Sequence, residues 1–235
     1  MVTRGYISAW ANKKNVVDVI DLQHGRGYPS SIMNASVVSY VYDPQVMSLD
    51  LESEYGRIES DGVVAINRLR NSQVLERRDL DAVVAFLDMH LHRGRYADRA
   101  NVRVPAVLVM KDGTSQDAEL KLGDMLILAQ QHPETLRLTS LGLAQWTWRL
   151  YPVDNLATGD GAVLLWRKTA DADLSTVTFP LSPTQLLVIG DPLPGEMNMN
   201  AFLARNCRRW MVGQRGTLPL DMAPTLVSAR VTGQG

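Results

Sequence analysis

Apolar residues recur every three or four positions from Val46 to Arg70, a spacing that predicts one long amphipathic helix. The apolar face of this helix comprises Leu51, Tyr55, Ile58, Gly62, Ile66 and Leu69. Glu52 and Glu59 border that face and lie two helical turns apart, about 10 Å along the axis. A glutamate on such a border can lie over a cleft and still reach water, so we expect both carboxylates to line one pocket.

Three further segments carry helical signals. Asp79 is suited to cap a second helix. The buried stripe of that helix consists of Leu80, Val83, Val84, Leu87 and Leu91. Asp124 is suited to cap a third helix, which stops before Pro133. A last helix is predicted from about Asn198 to Val212, with Leu203, Cys207, Trp210 and Met211 on the side opposite its arginines.

Alternating or continuous apolar runs predict strands elsewhere. Residues 6–11 and 16–22 are expected to pair across a turn at 12–15, and the chain from Gly25 to Pro44 is expected to be mostly loop. Residues 143–151, 162–168, 175–181 and 185–190 predict an antiparallel sheet. Strand and helix both remain open for 102–110, and the tail 224–235 either adds a strand or frays. We predict a single α+β domain over 1–235.

Composition narrows the class of protein. The 235 residues are 46% hydrophobic, enough for a full core, and the net charge of −1 gives no overall attraction to nucleic acid or membrane. One cysteine, Cys207, permits neither an internal disulfide nor a thiolate metal cluster. No apolar run approaches the ~18 residues of a membrane span, and no signal-peptide pattern opens the chain. We therefore expect a cytoplasmic protein with no membrane partner.

Several short motifs occur in a recognisable order. They are VTRGYISAWA at 2–11, DLESEYGRIE at 50–59, HLHRGRY at 90–96, YPVDN at 151–155, FPLSP at 179–183 and the asparagine that opens the last helix. Together they resemble a bacterial family of domains of unknown function, the one numbered 4238, over most of the chain. The family's Asp-Asn-Pro element appears here as Asp154-Asn155-Leu156. The resemblance implies a shared fold, and it brings no agreed reaction.

The candidate catalytic residues are three carboxylates. Glu52 and Glu59 could take two roles at one substrate, or one of them could act while the other orients an arginine. Tyr55 lies between them and is a candidate substrate-binding residue. Asp154 follows a predicted strand end, where it and Asn155 can aim at one point. Each interpretation has a structural alternative. The two glutamates could be solvated or ion-paired, as is common on helices, and Asp154-Asn155 could be an ordinary turn, where both residue types are frequent.

Histidines and an arginine cluster near the end of the second helix. His90 and His92 point apart on a helix and no second cluster supplies ligands, so we predict no metal site there. Arg93 is better suited to bind an anion or to pair with Glu59. The alternative is a solvated helix end, where positive charge interacts favourably with the helix dipole.

A basic and aromatic surface is predicted near the C-terminus. Arg205, Arg208 and Arg209 could follow phosphates while Trp146 and Trp148 stack on bases, which would make nucleic acid a partner. Alternatively, the arginines form a solvated helix face and the tryptophans belong to the core.

Glu119-x-Lys121, preceded by Asp112 or Asp117, fits the Glu-x-Lys pattern of metal-dependent nucleases. No glycine-rich phosphate loop and no Gly-x-Ser-x-Gly element occurs in the sequence, so neither a nucleotide triphosphatase nor a serine hydrolase is indicated.

The leading hypothesis is a nucleic-acid hydrolase that needs neither metal nor cofactor. Cleavage of an N-glycosidic bond, as by a DNA glycosylase, needs a carboxylate or amide beside the sugar, aromatic side chains to hold an extruded base, and basic residues for the phosphates. A role in phage defence would suit such an activity. A metal-dependent nuclease and a non-enzymatic binding module for nucleic acid or protein are the alternatives, and the sequence does not specify an oligomeric state.

Overall fold

The computed structural model describes residues 4–35, 50–99, 101–195 and 197–222 and has the predicted mixed α+β class. Its α-helices are α1 (Arg4–Ile7), α2 (Ile32–Ala35), α3 (Leu51–Arg70), α4 (Arg77–Arg95), α5 (Leu122–Gln131) and α6 (Met199–Asn206). Its strands are β1 (Val16–Asp21), β2 (Arg26–Ser31), β3 (Val104–Val109), β4 (Ser115–Leu120), β5 (Trp148–Pro152), β6 (Thr158–Gly159), β7 (Leu164–Arg167), β8 (Leu174–Ser182), β9 (Gln185–Gly190) and β10 (Trp210–Gly213).

The strands form antiparallel sheets. One has the order β2-β1-β10-β6 and a second the order β5-β9-β8-β7, while β3 and β4 form a separate hairpin. The antiparallel sheet predicted for the C-terminal half is therefore confirmed in β5, β7, β8 and β9. Residues 102–110, for which strand and helix were both open, contain β3.

Of the two strands predicted for the N-terminal hairpin, the structure confirms the second and not the first. Residues 16–22 form β1 as expected, but residues 6–11 are helical rather than a strand, in α1 and a 3₁₀ turn at Ser8–Trp10. Tyr6, Ile7 and Trp10 are fully buried, and their spacing brings all three to one side of a helical turn. The partner of β1 is instead β2, which lies in the stretch that was predicted to be loop.

The two long helices begin at well-defined caps. The Asp50 side chain accepts a hydrogen bond from Ser53 N, so α3 begins at Leu51. Residues 46–49, with which this helix was predicted to begin, lie outside the described ranges. Asp79 does not cap α4 from outside as predicted. It is the third residue of α4, and its carboxylate accepts from the backbone N–H of Glu76, which is the N-cap. Asp124 has the same place in α5.

The last helix is shorter than predicted. It ends at Asn206, and the rest of the predicted helix turns into β10, which is buried between β1 and β6. Asp160 explains this ending, since its carboxylate accepts from Arg208 N at 2.8 Å and from Arg209 N at 2.7 Å. These bonds take the place of the hydrogen bonds that both amides would make to backbone carbonyls if the helix continued. The tail from 223 onward lies outside the described residues.

Tyr6 joins the helices to the sheets. Its buried hydroxyl donates to Pro180 O at 2.7 Å and also lies 2.7 Å from Thr158 Oγ1. Its ring stacks on Phe179, with 5.0 Å between centroids, and touches Phe86 of α4. Burial raises the pKa of the Tyr6 phenol, so this group stays a neutral donor. The strong clustering of aromatic rings fixes how α1, α4, β6 and β8 meet.

Helix α4 approaches the loop after β6 at Gly94. A Cβ atom built at Gly94 would lie 2.0 Å from the carbonyl oxygen of Asp160. Only a residue without a side chain permits this approach, which presses the end of α4 against the same Asp160 that terminates α6. The geometry ties together two elements that are 66 residues apart in the chain.

Candidate functional site

Asp154 lies on a turn whose backbone is hydrogen-bonded both before and after this residue. Val153 N donates to Thr184 O at 3.1 Å and Leu156 N donates to Pro183 O at 2.8 Å, so the turn is fastened to the connection between β8 and β9. Asn155 adopts a left-handed conformation with φ of 53°, which asparagine tolerates better than most residues. The carboxylate of Asp154 is exposed at the tip of a turn whose backbone is fixed.

A cleft of about 470 Å³ opens beside this turn. Its floor is made of the buried residues Leu156, Leu186 and Met199. The remaining lining comes from Tyr151, Pro152, Val153, Asp154, Leu193, Gly195, Met197, Asn198 and Asn200. Clefts of this size accept ligands in the range of a nucleoside or a drug-sized molecule. Among the described residues that line it, Asp154 is the one with a carboxylate.

Two asparagines of α6 shape the cleft. Asn200 makes two hydrogen bonds, since its oxygen accepts from Ala157 N at 2.8 Å and its amide nitrogen donates to Asn155 O at 2.8 Å. This clamp locks the Asp154 turn to the start of α6. The Asn198 oxygen accepts from Ala201 N at 3.2 Å and caps α6, which leaves its amide nitrogen as the group that can donate to a ligand.

Glu59, Arg93 and Tyr55 meet between α3 and α4. The Glu59 carboxylate pairs with Arg93 Nη1, and the two side chains are 17% and 5% exposed. The Arg93 guanidinium lies over the Tyr55 ring, 4.4 Å from its centroid, and Gln130 Nε2 donates to the Tyr55 hydroxyl at 2.6 Å. Of the two roles expected for Arg93, pairing with Glu59 is the one realised.

Glu52 and Glu59 line neither the cleft beside Asp154 nor a second cleft among the described residues. That second cleft is small, about 50 Å³, and is lined by Glu54, Tyr55 and Asp88 together with neighbouring side chains. The expectation that both glutamates share one pocket is therefore not met in either cleft. Glu52 is partly exposed, and a catalytic role for either glutamate stays a prediction.

His90 and His92 are buried on different sides of α4, rather than solvated at its end. His90 Nε2 lies 2.9 Å from Gly159 O and must carry the proton, because a carbonyl only accepts. His92 Nε2 lies 3.7 Å from Asp88 Oδ1, while that carboxylate accepts from Leu138 N and Arg137 Nε. Burial lowers the pKa of both histidines to about 4, with Asp88 partly opposing this at His92.

Acid is expected to destabilise the protein through these two histidines. Their pKa is about 4 in the fold against an ordinary 6.5, so the unfolded chain binds more protons between those values. Stability is therefore fully present above about pH 6.5 and is lost as the pH falls toward 4, by up to about 1.4 kcal/mol per pH unit for each histidine. Urea unfolding at pH 7 and pH 5 should show a loss of about 2–4 kcal/mol.

A His90→Gln variant should show a weaker dependence on pH, whereas His132→Gln, at an exposed position, should behave as the parent does. Equal stability of the parent protein at the two pH values would contradict the expectation.

The tryptophans and arginines of the predicted nucleic-acid surface differ in burial. Trp146 and Trp148 are partly buried against the core, and Trp148 Nε1 donates to Leu143 O at 2.9 Å. Arg205 is exposed on α6, Arg208 pairs with Asp98 at 3.5 Å, and Arg209 lies beyond the helix. The three arginines do not form one helical stripe as predicted, because α6 ends before two of them.

The Glu119 and Lys121 pattern lies at the hairpin of β3 and β4. Asp117 and Glu119 are exposed on one side of β4, opposite Val107 and Pro105. In the described ranges, no group of three or more histidines, cysteines or carboxylates is placed to hold a metal ion. The same ranges contain no helix long and apolar enough to cross a membrane.

No protein-family model, curated protein or solved structure matches this chain. The resemblance to family 4238 and the activity of the protein therefore stay predictions, and the site must be argued from its own geometry.

Sequence reasoning identified one residue of the cleft and missed its walls. Asp154 was selected because it follows a strand end. The opposite wall is lined by Leu193, Gly195 and residues 197–200, and the sequence there carries no periodic pattern that predicts an element or a pocket. The available signal was the pair of methionines at 197 and 199, since flexible apolar side chains suit an adaptable binding surface.

Proposed function

We propose that the protein binds a nucleoside-sized group in the cleft beside Asp154 and hydrolyses an N-glycosidic bond of nucleic acid there. The observation that supports this most directly is a cleft of about 470 Å³ with an apolar floor and the carboxylate of Asp154 at its edge. Apolar and aromatic walls hold an extruded base, and a carboxylate beside the base is placed to act on the sugar.

In this reaction the Asp154 carboxylate takes a proton from a water molecule as the water oxygen bonds to the anomeric carbon. The bond from that carbon to the base nitrogen breaks with its electron pair on the base, which then receives the proton. The carboxylate also stabilises the positive charge that develops on the sugar in the transition state. Because the turn is fastened at Val153 and Leu156, the backbone that carries the carboxylate is held in position before the substrate arrives.

Basic residues near the cleft support a polyanionic substrate. Helix α6 begins at the cleft with Met199, and Arg205 follows six residues later, about 9 Å along the helix axis. Arg205 is exposed, and Arg208 lies just beyond the helix with its side chain 46% exposed. These positions allow contact with phosphates that flank a nucleotide held in the cleft. Glu59, paired with Arg93, takes no part in this proposal.

An Asp154→Asn substitution is expected to lower the rate of base release by roughly 100-fold, the usual scale for loss of a general base. The substitution keeps the size of the side chain and removes its ability to accept the proton. Base release from single-stranded DNA and RNA oligonucleotides, measured by mass spectrometry in the presence of chelator, provides the readout. Asp171→Asn changes a carboxylate in another exposed turn and should leave the rate unchanged.

Each alternative has its own outcome. Chelator-sensitive strand breaks in the parent protein would overturn the proposal in favour of a metal-dependent nuclease. Binding of oligonucleotide without any product would instead indicate a binding module. That second reading is favoured by one observation, namely that Asp154 is the one carboxylate among the described residues that line the cleft, so no second acid there is placed to protonate the leaving base.

A further inference from the structure

An ion pair joins the end of α4 to the segment that follows α6. Asp98 lies in a 3₁₀ turn at Ala97–Arg99, just beyond α4, and its Oδ2 atom lies 3.5 Å from Arg208 Nη1. The two side chains are 40% and 46% exposed. The separation is longer than a charge-assisted hydrogen bond, and exposed ion pairs contribute little to stability. Another anion can therefore take the place of the Asp98 carboxylate at little cost in free energy.

The backbone beneath this pair is fixed. Arg208 N donates to the Asp160 carboxylate at 2.8 Å, and the carbonyl oxygen of Asp160 lies against Gly94 of α4. Asp160 therefore holds the backbone of Arg208 beside the end of α4, whether or not the Arg208 side chain pairs with Asp98. An arginine on a fixed backbone suits a phosphate, to which a guanidinium can donate two parallel hydrogen bonds.

The pair lies one short helix away from the cleft. Helix α6 begins at the cleft with Met199 and ends at Asn206, about 10 Å along the axis, and Arg208 follows two residues later. Within 97–99 and 205–209, Asp98 is the one acidic residue. The same two segments contain further arginines that are at least partly exposed, namely Arg99, Arg205 and Arg209. Displacement of Asp98 from Arg208 therefore leaves a locally positive surface next to the cleft.

We infer that Asp98 pairs with Arg208 in the free protein and is displaced by a phosphate of a single-stranded nucleic acid whose base lies in the cleft. This inference rests on the proposed function and specifies how the strand beside the cleft is bound. Asp98 then competes with the phosphate for Arg208, so the protein binds nucleic acid less tightly than its arginines alone would allow.

Asp98→Asn is expected to bind a single-stranded DNA oligonucleotide about two- to fivefold more tightly than the parent protein, the range that corresponds to the free energy of an exposed ion pair. Fluorescence anisotropy of the labelled oligonucleotide over a series of salt concentrations provides the readout. Loss of folding cannot produce such a gain. Arg208→Gln should reduce the steepness of the salt dependence by about 0.7 in log affinity per log salt, the value for one phosphate contact on a single strand. Asp98→Asn added to Arg208→Gln should bring no gain, because the guanidinium that it would release is gone.

Asp81 provides a matched control at the other end of α4. Its carboxylate pairs with Arg77 at 3.1 Å, and both side chains are exposed. Position 81 lies about 21 Å along the axis from Arg95, the last residue of the helix. Asp81→Asn makes the same change in net charge as Asp98→Asn and should leave the affinity unchanged, as should Arg77→Gln.

Three results would overturn the inference: no binding of the oligonucleotide by the parent protein, a gain in Asp98→Asn no larger than in Asp81→Asn, or a gain that persists beside Arg208→Gln. If base release still depended on Asp154 in the second or third case, the proposed function would stand with another path for the strand. A gain that depends on Arg208, in a protein that releases no base, would instead overturn the proposed function and leave this surface as a binding site for nucleic acid.

Discussion

Replacing Glu59 with glutamine is expected to lower the free energy of unfolding by about 3 kcal/mol, because it removes the negative charge that pairs with a buried guanidinium. The Arg93 side chain is 5% exposed and cannot recover its interaction with water without breaking the packing between α3 and α4. The estimate lies at the lower end for broken buried pairs, since Glu59 is 17% exposed and the glutamine oxygen can still accept a hydrogen bond.

The loss should appear as a fall of about 6–12 °C in the melting temperature for a chain of this length. Glu54→Gln is the matched control, since this side chain is exposed one turn earlier on the same helix and should change stability by less than about 0.5 kcal/mol. A double variant, Glu59→Leu with Arg93→Met, should recover much of the loss if the uncompensated charge is its cause. Full stability of Glu59→Gln would show that the pair contributes nothing.

This result also bears on the original interpretation of the α3 glutamates. A catalytic glutamate can be changed to glutamine with loss of turnover and little loss of stability. A structural glutamate behaves in the opposite way. Measuring both properties in Glu52→Gln and Glu59→Gln therefore separates the two roles for each residue.

Gly94→Ala is expected to lower the free energy of unfolding by about 3 kcal/mol or more. Two effects oppose each other here. Alanine is a better helix former than glycine by about 1 kcal/mol, which alone would stabilise α4. The added Cβ would, however, lie 2.0 Å from the Asp160 carbonyl oxygen, a contact that forces the backbone of one element to move. The movement would disturb the carboxylate of Asp160, which holds the amides of Arg208 and Arg209.

Gly56→Ala isolates the propensity effect. No atom lies within 4 Å of a Cβ built at Gly56, which is an exposed position inside α3. This variant should therefore be more stable than the parent by about 0.5–1 kcal/mol. Chemical unfolding of the two variants should give changes of opposite sign, and a stabilised Gly94→Ala protein would show that the close approach is relieved at little cost.

The helices of the first half could be predicted because their burial is periodic. Leu51, Tyr55, Ile66 and Leu69 repeat at helical spacing and are all buried in the structure. The pairing of Glu59 with Arg93 was foreseen as an alternative, because both lie on neighbouring predicted helices. Periodicity determines which face of a helix is buried, and it does not determine what lies opposite that face.

The errors arose where a short apolar run fits two structures. Tyr6, Ile7 and Trp10 suit a strand by composition and a helical turn by spacing, and the second is correct. Trp210 to Val212 continued the pattern of α6, yet the distant Asp160 captures the amides before this run and turns it into a strand. A long-range contact of this kind leaves no local signal in the sequence. The cleft was missed for the same reason, because its two walls are about 45 residues apart.

The position of β10 has a consequence for how the protein is made. This strand lies between β1 and β6, and its register places Val212 opposite Val19. A nascent chain emerging from the ribosome therefore displays β1 with one edge unpaired until almost all of the described residues have been synthesised. Closing such distant contacts is slow, and an unpaired strand edge invites association with other chains. The sheet that contains β1 must therefore complete itself late in synthesis, when the last of its strands is delivered to its centre.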